Sequence, residues 1–338
     1  MMGLGGRAPQ DVLLRPAAGQ YVGSMQLRQL EYLVALARER HFARAAAACH
    51  VSQPALSASL ARLEQELGVA LINRGHSFAG LTAEGELLLA WARRVVAERD
   101  SLRAELGARR HGVSGTLALG AGPSAATTVA LPVQAFCAAN PLARVRTVTG
   151  VPGSELARRL REFELDAAVA VFDSHDLSEL IVHHLYEERY VLIACAELVE
   201  PRTTTITWRQ AAALPLALLS PEMRSREILD EAFSRNGVNV QAQFETDSFA
   251  GLFAAVRTRR WAGVVPHARA QALLDSGPVR AIRSIPLVEP AITAQVSVAI
   301  NAARPGSAIA QAFMSAAATL TDEDWEAWAT DPVGPTAG

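Results

Sequence analysis

Residues 42–74 read FARAAAACHVSQPALSASLARLEQELGVALINR, and this stretch decides the fold of the N-terminal part of the chain. Ala45 and Ala46 are small enough to let two helices cross closely. The stretch predicts a helix over residues 43–50, a tight turn, and a second helix over residues 52–67.

The second helix has one apolar side and one polar edge. It starts at Ser52, whose hydroxyl can accept a backbone N–H, and it carries Pro54 in the first turn, where a missing N–H is harmless. Leucines recur at helical spacing along one stripe, at Leu56, Leu60, Leu63 and Leu67. The opposite edge begins with Gln53, Ser57 and Ala58, which are short and uncharged. Amide and hydroxyl groups at a helix N-terminus can read base edges in the major groove of DNA.

The string SQPALSxxLxxLExELGxxLxxR, which runs from Ser52 to Arg74 and is followed by Leu81-Thr82-x-x-Gly85, resembles the LysR-type transcriptional regulators. The resemblance extends more loosely through most of residues 25–325. It implies an α/β protein overall, with an N-terminal winged helix-turn-helix, a long linker helix and a C-terminal two-lobed sensor domain of the type 2 periplasmic-binding-protein fold. Another kind of compact helical hairpin, with an alanine pair and a leucine stripe, is the alternative interpretation of the motif.

Charge is unevenly distributed along the chain, whose formal net charge is −2. Residues 25–110 carry 12 Arg and 9 acidic residues, whereas residues 111–338 carry 18 Arg and 24 acidic residues. A mildly basic N-terminal part on an acidic remainder is typical of a DNA-binding module joined to another domain.

The composition also predicts where the protein works. No apolar run is long enough to predict a membrane span, and the N-terminus has no signal-peptide pattern. The cysteines Cys49, Cys137 and Cys195 are far apart in sequence and follow no metal-binding spacing. We therefore expect a reduced, cytoplasmic protein with no membrane partner.

Changes in sequence character predict the domain boundaries. Residues 1–24 have few aromatic or periodic apolar positions and are expected to be disordered. The further parts are a winged helix-turn-helix at 25–82, a linker helix at 83–111, an effector-binding domain at 113–325 and a flexible, acidic tail at 326–338. By resemblance, lobe I of the effector-binding domain comprises residues 113–187 and 290–325, and lobe II comprises residues 188–289.

The linker helix has coiled-coil spacing, because Leu88, Val95 and Leu102 are seven residues apart and Leu106 follows four residues later. The resemblance implies that this helix forms a dimer with its partner, and that the protein is a homotetramer. A long helix packed on its own chain is the alternative. After Gly112 strands alternate with helices, which predicts open, mostly parallel sheets flanked by helices.

The candidate DNA contacts fall into two chemical groups. The residues at the start of the second helix are positioned to contact bases: Ser52, Gln53, Pro54, Ser57 and Ala58. Four arginines are expected to contact phosphates: Arg28, Arg44, Arg62 and Arg74. Only Arg74 and His76 supply cations in the wing string RGHSFAG, so we expect few wing contacts to DNA.

The candidate effector contacts lie where strands are expected to end. Small ligands of open α/β lobes bind beyond the carboxyl ends of the strands, where helix N-termini present N–H groups. By resemblance, effector contacts cluster at such positions, although a role as helix caps is open for each: Ser124, Thr127, Phe172, Ser220, Arg224, Thr246 and Ser248. Arg224 favours an anionic metabolite as the effector.

Several strings that suggest other chemistry do not meet its requirements. The string GAGPSA at residues 120–125 loosely fits a dinucleotide-binding loop, but Pro123 removes a phosphate-binding donor and the acidic residue expected about twenty positions later is missing. Gly75-His76-Ser77 lacks the following glycine of a hydrolase elbow. The eight histidines show no ligand spacing, and the loop string LLSPEMRSREILDEAF lacks the cysteines of the peroxide-sensing LysR-type branch. We predict no metal, no cofactor and no enzymatic activity.

The leading hypothesis is therefore a transcriptional regulator of the LysR type. It would bind double-stranded DNA as a homodimer or homotetramer and respond to a small-molecule effector. By resemblance, effector binding closes the two lobes and changes the spacing or bending of the bound DNA. The alternative hypothesis is a cytoplasmic small-molecule-binding protein whose helical N-terminus serves oligomerisation only.

Overall fold

The structure, a computed structural model, describes residues 25–74, 78–274, 282–303 and 307–330. The predicted disordered extension at residues 1–24 lies outside this range. The chain divides into two compact units, one that ends at Val96 and one that begins at Ala97. None of the described helices has the length and hydropathy that a bilayer span requires.

The first unit is a winged helix-turn-helix followed by the start of a long helix. Its elements are α1 (Leu27–Glu39), α2 (Phe42–Ala48), α3 (Gln53–Leu67), β1 (Ile72–Arg74), β2 (Phe78–Leu81) and α4 (Ala83–His111), which continues into the second unit. The helices predicted at residues 43–50 and 52–67 are confirmed as α2 and α3. The antiparallel pair of β1 and β2 forms the wing.

A small apolar core holds the three N-terminal helices together. The side chains that meet where α2 and α3 cross are at most 2% exposed: Ala45, Ala46, Leu56, Leu60 and Leu63. Leu67, the last residue of the predicted stripe, is instead 37% exposed. It lies at the end of α3, where Gly68 takes a left-handed backbone conformation with φ 70° and stops the helix.

Side chains at the ends of α3 and the wing fix the strands against the helices. The Glu64 carboxylate accepts hydrogen bonds from the backbone N–H groups of Leu71 at 3.0 Å and Ile72 at 3.2 Å, at the start of the wing. Thr82 follows β2, and its Oγ1 accepts from Gly85 N at 3.0 Å in the first turn of α4. The wing is therefore held at both ends by hydrogen bonds to the helices.

The long helix α4 carries most of the exposed apolar surface of the N-terminal half. Of the four predicted coiled-coil positions, Val95, Leu102 and Leu106 are exposed, whereas Leu88 packs against the core of the first unit. Leu87 and Trp91, which are not among these four positions, are also exposed, at 66% and 60%.

The second unit is a two-lobed α/β structure. Its strands are β3 (Ser114–Ala121), β4 (Leu142–Thr149), β5 (Ala167–Val171), β6 (Leu180–Cys195), β7 (Ile206–Thr207), β8 (Leu216–Leu219), β9 (Phe244–Thr246), β10 (Ala262–Pro266), β11 (Ile282–Val288) and β12 (Thr293–Asn301). Its helices are α5 (Ala130–Ala139), α6 (Gly153–Arg161), α7 (Trp208–Ala212), α8 (Arg224–Arg235), α9 (Phe249–Arg257), α10 (His267–Leu274), α11 (Ala308–Ala317) and α12 (Asp322–Thr330).

The strand β6 is shared by both lobes. Its residues Leu180–Arg189 pair with β12, and its residues Tyr190–Cys195 pair with β10 and β11. The strand order is β4-β3-β5-β12-β6-β10-β8-β9, and each lobe has its own apolar core. The expectation of mostly parallel sheets is correct at the two edges and wrong at the centre, because β6 and β12 run antiparallel to their neighbours.

Part of the acidic C-terminal tail predicted at residues 326–338 is ordered, because the helix Asp322–Thr330 extends into it, so the expectation of a flexible tail is wrong for residues 326–330. This helix is α12, and residues 331–338 lie outside the described range. The helix is held by Trp325, which is 6% exposed and stacks on Tyr186 with ring centroids 4.6 Å apart. Burial of this indole and its stacking on Tyr186 favour the helical conformation. The elements α7, α10 and β11 were also not predicted.

The close approach of α4 to the wing gives a test of the first unit. A Cβ added at Gly85 would lie 2.1 Å from the carbonyl oxygen of Leu71. Gly85→Ala is therefore expected to lower the free energy of unfolding by about 1–3 kcal/mol, measured by urea denaturation and circular dichroism.

The matched control lies on the same helix. A Cβ at Gly107 meets no described atom within 4 Å, so Gly107→Ala is expected to be neutral or to stabilise α4 by up to about 1 kcal/mol. A Gly85→Ala protein as stable as Gly107→Ala would contradict the described packing.

Candidate functional site

The N-terminal edge of α3 faces away from the core of the first unit. Ser52 Oγ accepts a backbone N–H of the first turn at 3.4 Å, and Pro54 follows within that turn. Gln53, Pro54 and Ala58 are exposed, and Ser57 is half-buried. The leucine core occupies the other side of the helix, so an amide, a hydroxyl and two small apolar groups remain on the surface of the first two turns.

The predicted phosphate-binding arginines have different surroundings. Arg62 is exposed on the outer side of α3, and Arg28 is exposed in the first turn of α1. Arg44 is exposed as well, but its Nη2 donates to the carbonyl of Glu39 at 2.7 Å and so caps the end of α1. The side chain of Arg74 and the residues 75–77, with the predicted wing cation His76, lie outside the described range. DNA contacts by these residues stay predictions.

A small cavity lies between the lobes of the second unit, at the carboxyl ends of β3 and β5 and the N-termini of α6 and α8. Its volume is about 10 Å³, enough for about one water molecule. Among the predicted effector residues, Ser124 lines it. The lining residues are Gly122, Pro123, Ser124, Gly153, Ala170, Val171, Tyr190, Ser225 and Ile228.

Glycine at the start of α6 allows the close packing at this cavity. A Cβ at Gly153 would lie 2.3 Å from the carbonyl oxygen of Val171, so only glycine lets the helix begin against the end of β5. Gly153, Tyr190 and Ser225 were not among the residues predicted to contact an effector. A usable signal existed for Ser225, which directly follows Arg224 in a predicted strand-end loop.

The other predicted effector residues lie apart from the cavity lining. In the second lobe Ser220 N donates to the carbonyl of Thr246 at 2.8 Å, which brings two of the predicted loops together. Ser248 caps α9 by accepting from a backbone N–H at 3.1 Å. Thr127 and Phe172 are half-buried. The side chain of Arg224 lies outside the described range, so its contact with an effector stays a prediction.

A buried arginine that the sequence analysis did not select fixes the start of α8. The Arg226 side chain is 7% exposed. It donates to Asp230 at 2.8 Å, to the carbonyl of Leu219 at 2.7 Å and to Glu245 at 2.9 Å. Desolvation by itself would lower the pKa of Arg226, but the two carboxylates outweigh it and raise the pKa. The guanidinium thus ties α8, and with it Ser225, to the ends of β8 and β9.

Two cysteines, Cys49 in the first unit and Cys195 in the second, have thiols whose reactivity is set by burial. Burial raises the pKa of Cys195 and of Cys49, which disfavours the reactive thiolate.

In the described part, Asp173, His175 and Asp176 bring three potential metal-ligand atoms within 4.8 Å of one another. The two aspartates also cap the short 3₁₀ turn between β5 and β6.

Arg226 can be tested against an arginine of the same helix. Arg226→Met is expected to lower the free energy of unfolding by about 1–2 kcal/mol, less than for a fully buried pair because the two carboxylates are half-exposed and can rehydrate. Arg235→Met is the control, since that side chain is 68% exposed, and its effect is expected to be below about 0.5 kcal/mol. Equal stability of the two variants in urea unfolding would show that Arg226 does not secure α8.

Models of two protein families match this chain. Residues 27–86 match the bacterial regulatory helix-turn-helix protein, lysR family, and residues 110–321 match the LysR substrate binding domain.

Curated relatives include regulators from several bacteria. The SDS degradation transcriptional activation protein of Pseudomonas sp. (strain ATCC 19151) is 39% identical over 195 residues, which cover 56% of this chain and 63% of that protein. The match thus spans less than two thirds of that relative. The hydrogen peroxide-inducible genes activator of Haemophilus influenzae is 28% identical over 310 residues, which cover 88% of this chain and 97% of that protein.

Solved structures share the fold over most of this chain. Full-length OxyR from Pseudomonas aeruginosa, a single-residue variant, has a TM-score of 0.71 and 24% identity, covering 88% of this chain and 99% of that one. Full-length CbnR in complex with its target DNA has a TM-score of 0.61 and 21% identity, covering 87% and 99%. Together with the two family models, these matches establish that the chain belongs to the LysR family of bacterial transcriptional regulators.

Proposed function

We propose that this protein regulates transcription by binding double-stranded DNA through α3, under the control of a small-molecule effector that enters between the two lobes. The observation that carries the proposal is the outward-facing edge at the start of α3. Gln53, Pro54 and Ala58 are exposed there, and three leucines anchor the other side of the same helix.

The chemistry of this edge suits the major groove. The Gln53 amide can donate to and accept from adenine in a bidentate pair, and the small side chains of Pro54 and Ala58 allow the helix to approach the bases closely. Arg62 and Arg28 are exposed and supply charge for phosphates. The helix N-terminus adds a favourable dipole for the DNA backbone. CbnR, which has the same fold, was determined in complex with its target DNA.

Self-association would raise the affinity for DNA. The exposed apolar side chains of α4, among them Leu87, Trp91 and Leu102, suit contact with a second copy of the helix. We propose a homodimer that pairs into a homotetramer in the cytoplasm, so that several α3 helices bind one interrupted palindrome together.

The interlobe cavity is the proposed effector site. At about 10 Å³ it is too small for a metabolite, so the gap between the lobes would have to widen to admit an effector before the lobes close on it. Ser124 and Ser225 line the cavity, and Arg224 lies next to Ser225 in sequence. Two hydroxyls in the cavity wall, one of them next in sequence to an arginine, favour an anionic metabolite as effector.

In the alternative function, the protein binds a small molecule and its helical N-terminus serves oligomerisation only. The outer edge of α3 would then contact another subunit instead of DNA. The exposed residues there are small or polar, whereas protein interfaces are enriched in large apolar and aromatic side chains. DNA binding discriminates between the two functions.

The DNA contacts can be separated by variants of single residues. Gln53→Ala is expected to lower the preference for the operator over a scrambled duplex by about 1–3 kcal/mol, because it removes a base contact. Arg62→Ala is expected to weaken binding to both duplexes and to reduce the salt slope by about 1, because it removes a phosphate contact. Fluorescence anisotropy with the upstream region of the gene, at several salt concentrations, measures both effects.

Arg235→Ala serves as the control for charge, since this exposed arginine belongs to the second unit, and its DNA affinity is expected to equal that of wild type. If wild type and the Gln53 and Arg62 variants bound both duplexes equally well, α3 would not be the DNA-reading helix.

The effector site can be tested by a screen and a variant that fills the cavity. A metabolite that binds the native state raises its apparent stability, by about 2.7 kcal/mol at a hundred times Kd. Ser225→Val is expected to remove that thermal shift and to retain DNA binding, whereas Ser234→Val, an exposed position of α8, is expected to retain both. A full ligand-induced shift in Ser225→Val would place the effector elsewhere.

A further inference from the structure

A second and much larger cavity lies where the two lobes of the second unit join. Its volume is about 570 Å³, within the range of small-molecule sites. Its walls come from β6 at residues 186–189, from His267 and Ala268 at the start of α10, and from Asp322, Trp325 and Glu326 of α12.

The wall of this cavity contains a buried carboxyl group that has no role in DNA reading or in the interlobe cavity. Glu188 is 2% exposed. Its Oε1 accepts from the backbone N–H of Ala268 at 3.3 Å, and its Oε2 accepts from the Tyr186 hydroxyl at 3.4 Å. That hydroxyl lies 2.9 Å from Thr128 Oγ1. The described hydrogen bonds to Glu188 come from neutral groups and fix the carboxyl in position, and the guanidinium of Arg269 lies close enough to attract its charge.

An aromatic wall stands beside this carboxyl. Tyr186 and Trp325 stack with ring centroids 4.6 Å apart and an interplanar angle of 31°, and both line the cavity. A carboxylate next to aromatic faces is the arrangement that recognises ammonium groups, because the ring faces are electron-rich.

The charges around the cavity favour the same class of ligand. Its described lining residues include one arginine, Arg189, two histidines, His184 and His267, and four acids, Glu187, Glu188, Asp322 and Glu326. The excess of negative charge attracts cations and repels carboxylates. An anion would also have to desolvate next to the buried Glu188.

We propose that this cavity binds a small organic ammonium cation, with Glu188 as its anionic partner and Tyr186 and Trp325 as its aromatic wall. The site is separate from the interlobe cavity, which has a different set of lining residues. Arg269 connects the two cavities: it follows Ala268 and donates to the carbonyl of Pro123, which lines the interlobe cavity.

Three small molecules with one carbon skeleton test the charge preference. In isothermal titration calorimetry of the full chain at pH 8, phenethylamine is expected to bind, and phenylacetate and 2-phenylethanol are expected to bind at least tenfold more weakly. Glu188→Gln keeps one acceptor oxygen for the Ala268 N–H, can donate from its amide NH2 to the Tyr186 hydroxyl oxygen, and removes the charge, so it is expected to weaken phenethylamine binding at least tenfold. Glu197→Gln, an exposed carboxylate paired with Arg259 at 2.9 Å, is the control and is expected to bind as wild type does.

A pH series on the wild-type protein gives a readout that needs no variant. Burial raises the pKa of Glu188 to about 7, against the opposing hydrogen bonds from Ala268 and Tyr186. The carboxylate fraction therefore rises about tenfold between pH 6 and pH 8, and the affinity for phenethylamine is expected to rise about tenfold with it. The charged and titratable groups that surround this carboxyl in the cavity are His184, Tyr186, Glu187, Arg189, His267, Arg269, Asp322 and Glu326. Glu188→Gln separates its contribution from theirs, since only that carboxyl is removed.

The outcomes are decisive in either direction. Preference for the amine, its loss in Glu188→Gln and the rise with pH support the site. Absence of phenethylamine binding to wild type at pH 8, equal binding of phenylacetate, or undiminished binding to Glu188→Gln would overturn it. None of these results depends on DNA binding or on the effector of the interlobe cavity.

Discussion

The burial of one leucine stripe in α3 is the constraint on which the first unit depends. Leu56, Leu60 and Leu63 are almost fully removed from water against Ala45 and Ala46, and the small alanines leave room for the helices to cross closely. Each buried leucine contributes about 1.5–3 kcal/mol, so rotation of α3 about its axis would be strongly unfavourable. The same packing that stabilises the fold therefore fixes which side chains face outward, and function at this helix follows from its core.

In the second unit, the strand β6 is shared by both lobes and constrains how they can move. Since β6 pairs with β12 in its first half and with β10 and β11 in its second half, a change in the angle between the lobes must be absorbed near the middle of one strand. Glu188 and Tyr190 lie at that point. The small interlobe cavity and the large cavity beside Glu188 adjoin the same part of β6. A ligand in either cavity would therefore act where the two lobes are coupled.

Features with local signals could be predicted from the sequence, and features made by distant partners could not. Ser52, Pro54 and the leucine period lie within one helix, so they predicted α3 correctly. Trp325 holds the last described helix by packing on Tyr186, far away in the chain, whereas the sequence after it predicted a flexible tail from residue 326 onward. Likewise Arg226 and Arg224 look alike in sequence. The burial of Arg226 depends on Glu245, which reaches it only through the pairing of β8 with β9.

The central claim is that the outward edge of α3 touches bases, and a crystal structure of the full chain with a duplex from its upstream region tests this most directly. We expect α3 to lie in the major groove, with the Gln53 amide within about 3.2 Å of a base edge. A complex in which α3 turned away from the duplex, or in which its polar edge packed against another subunit, would contradict it.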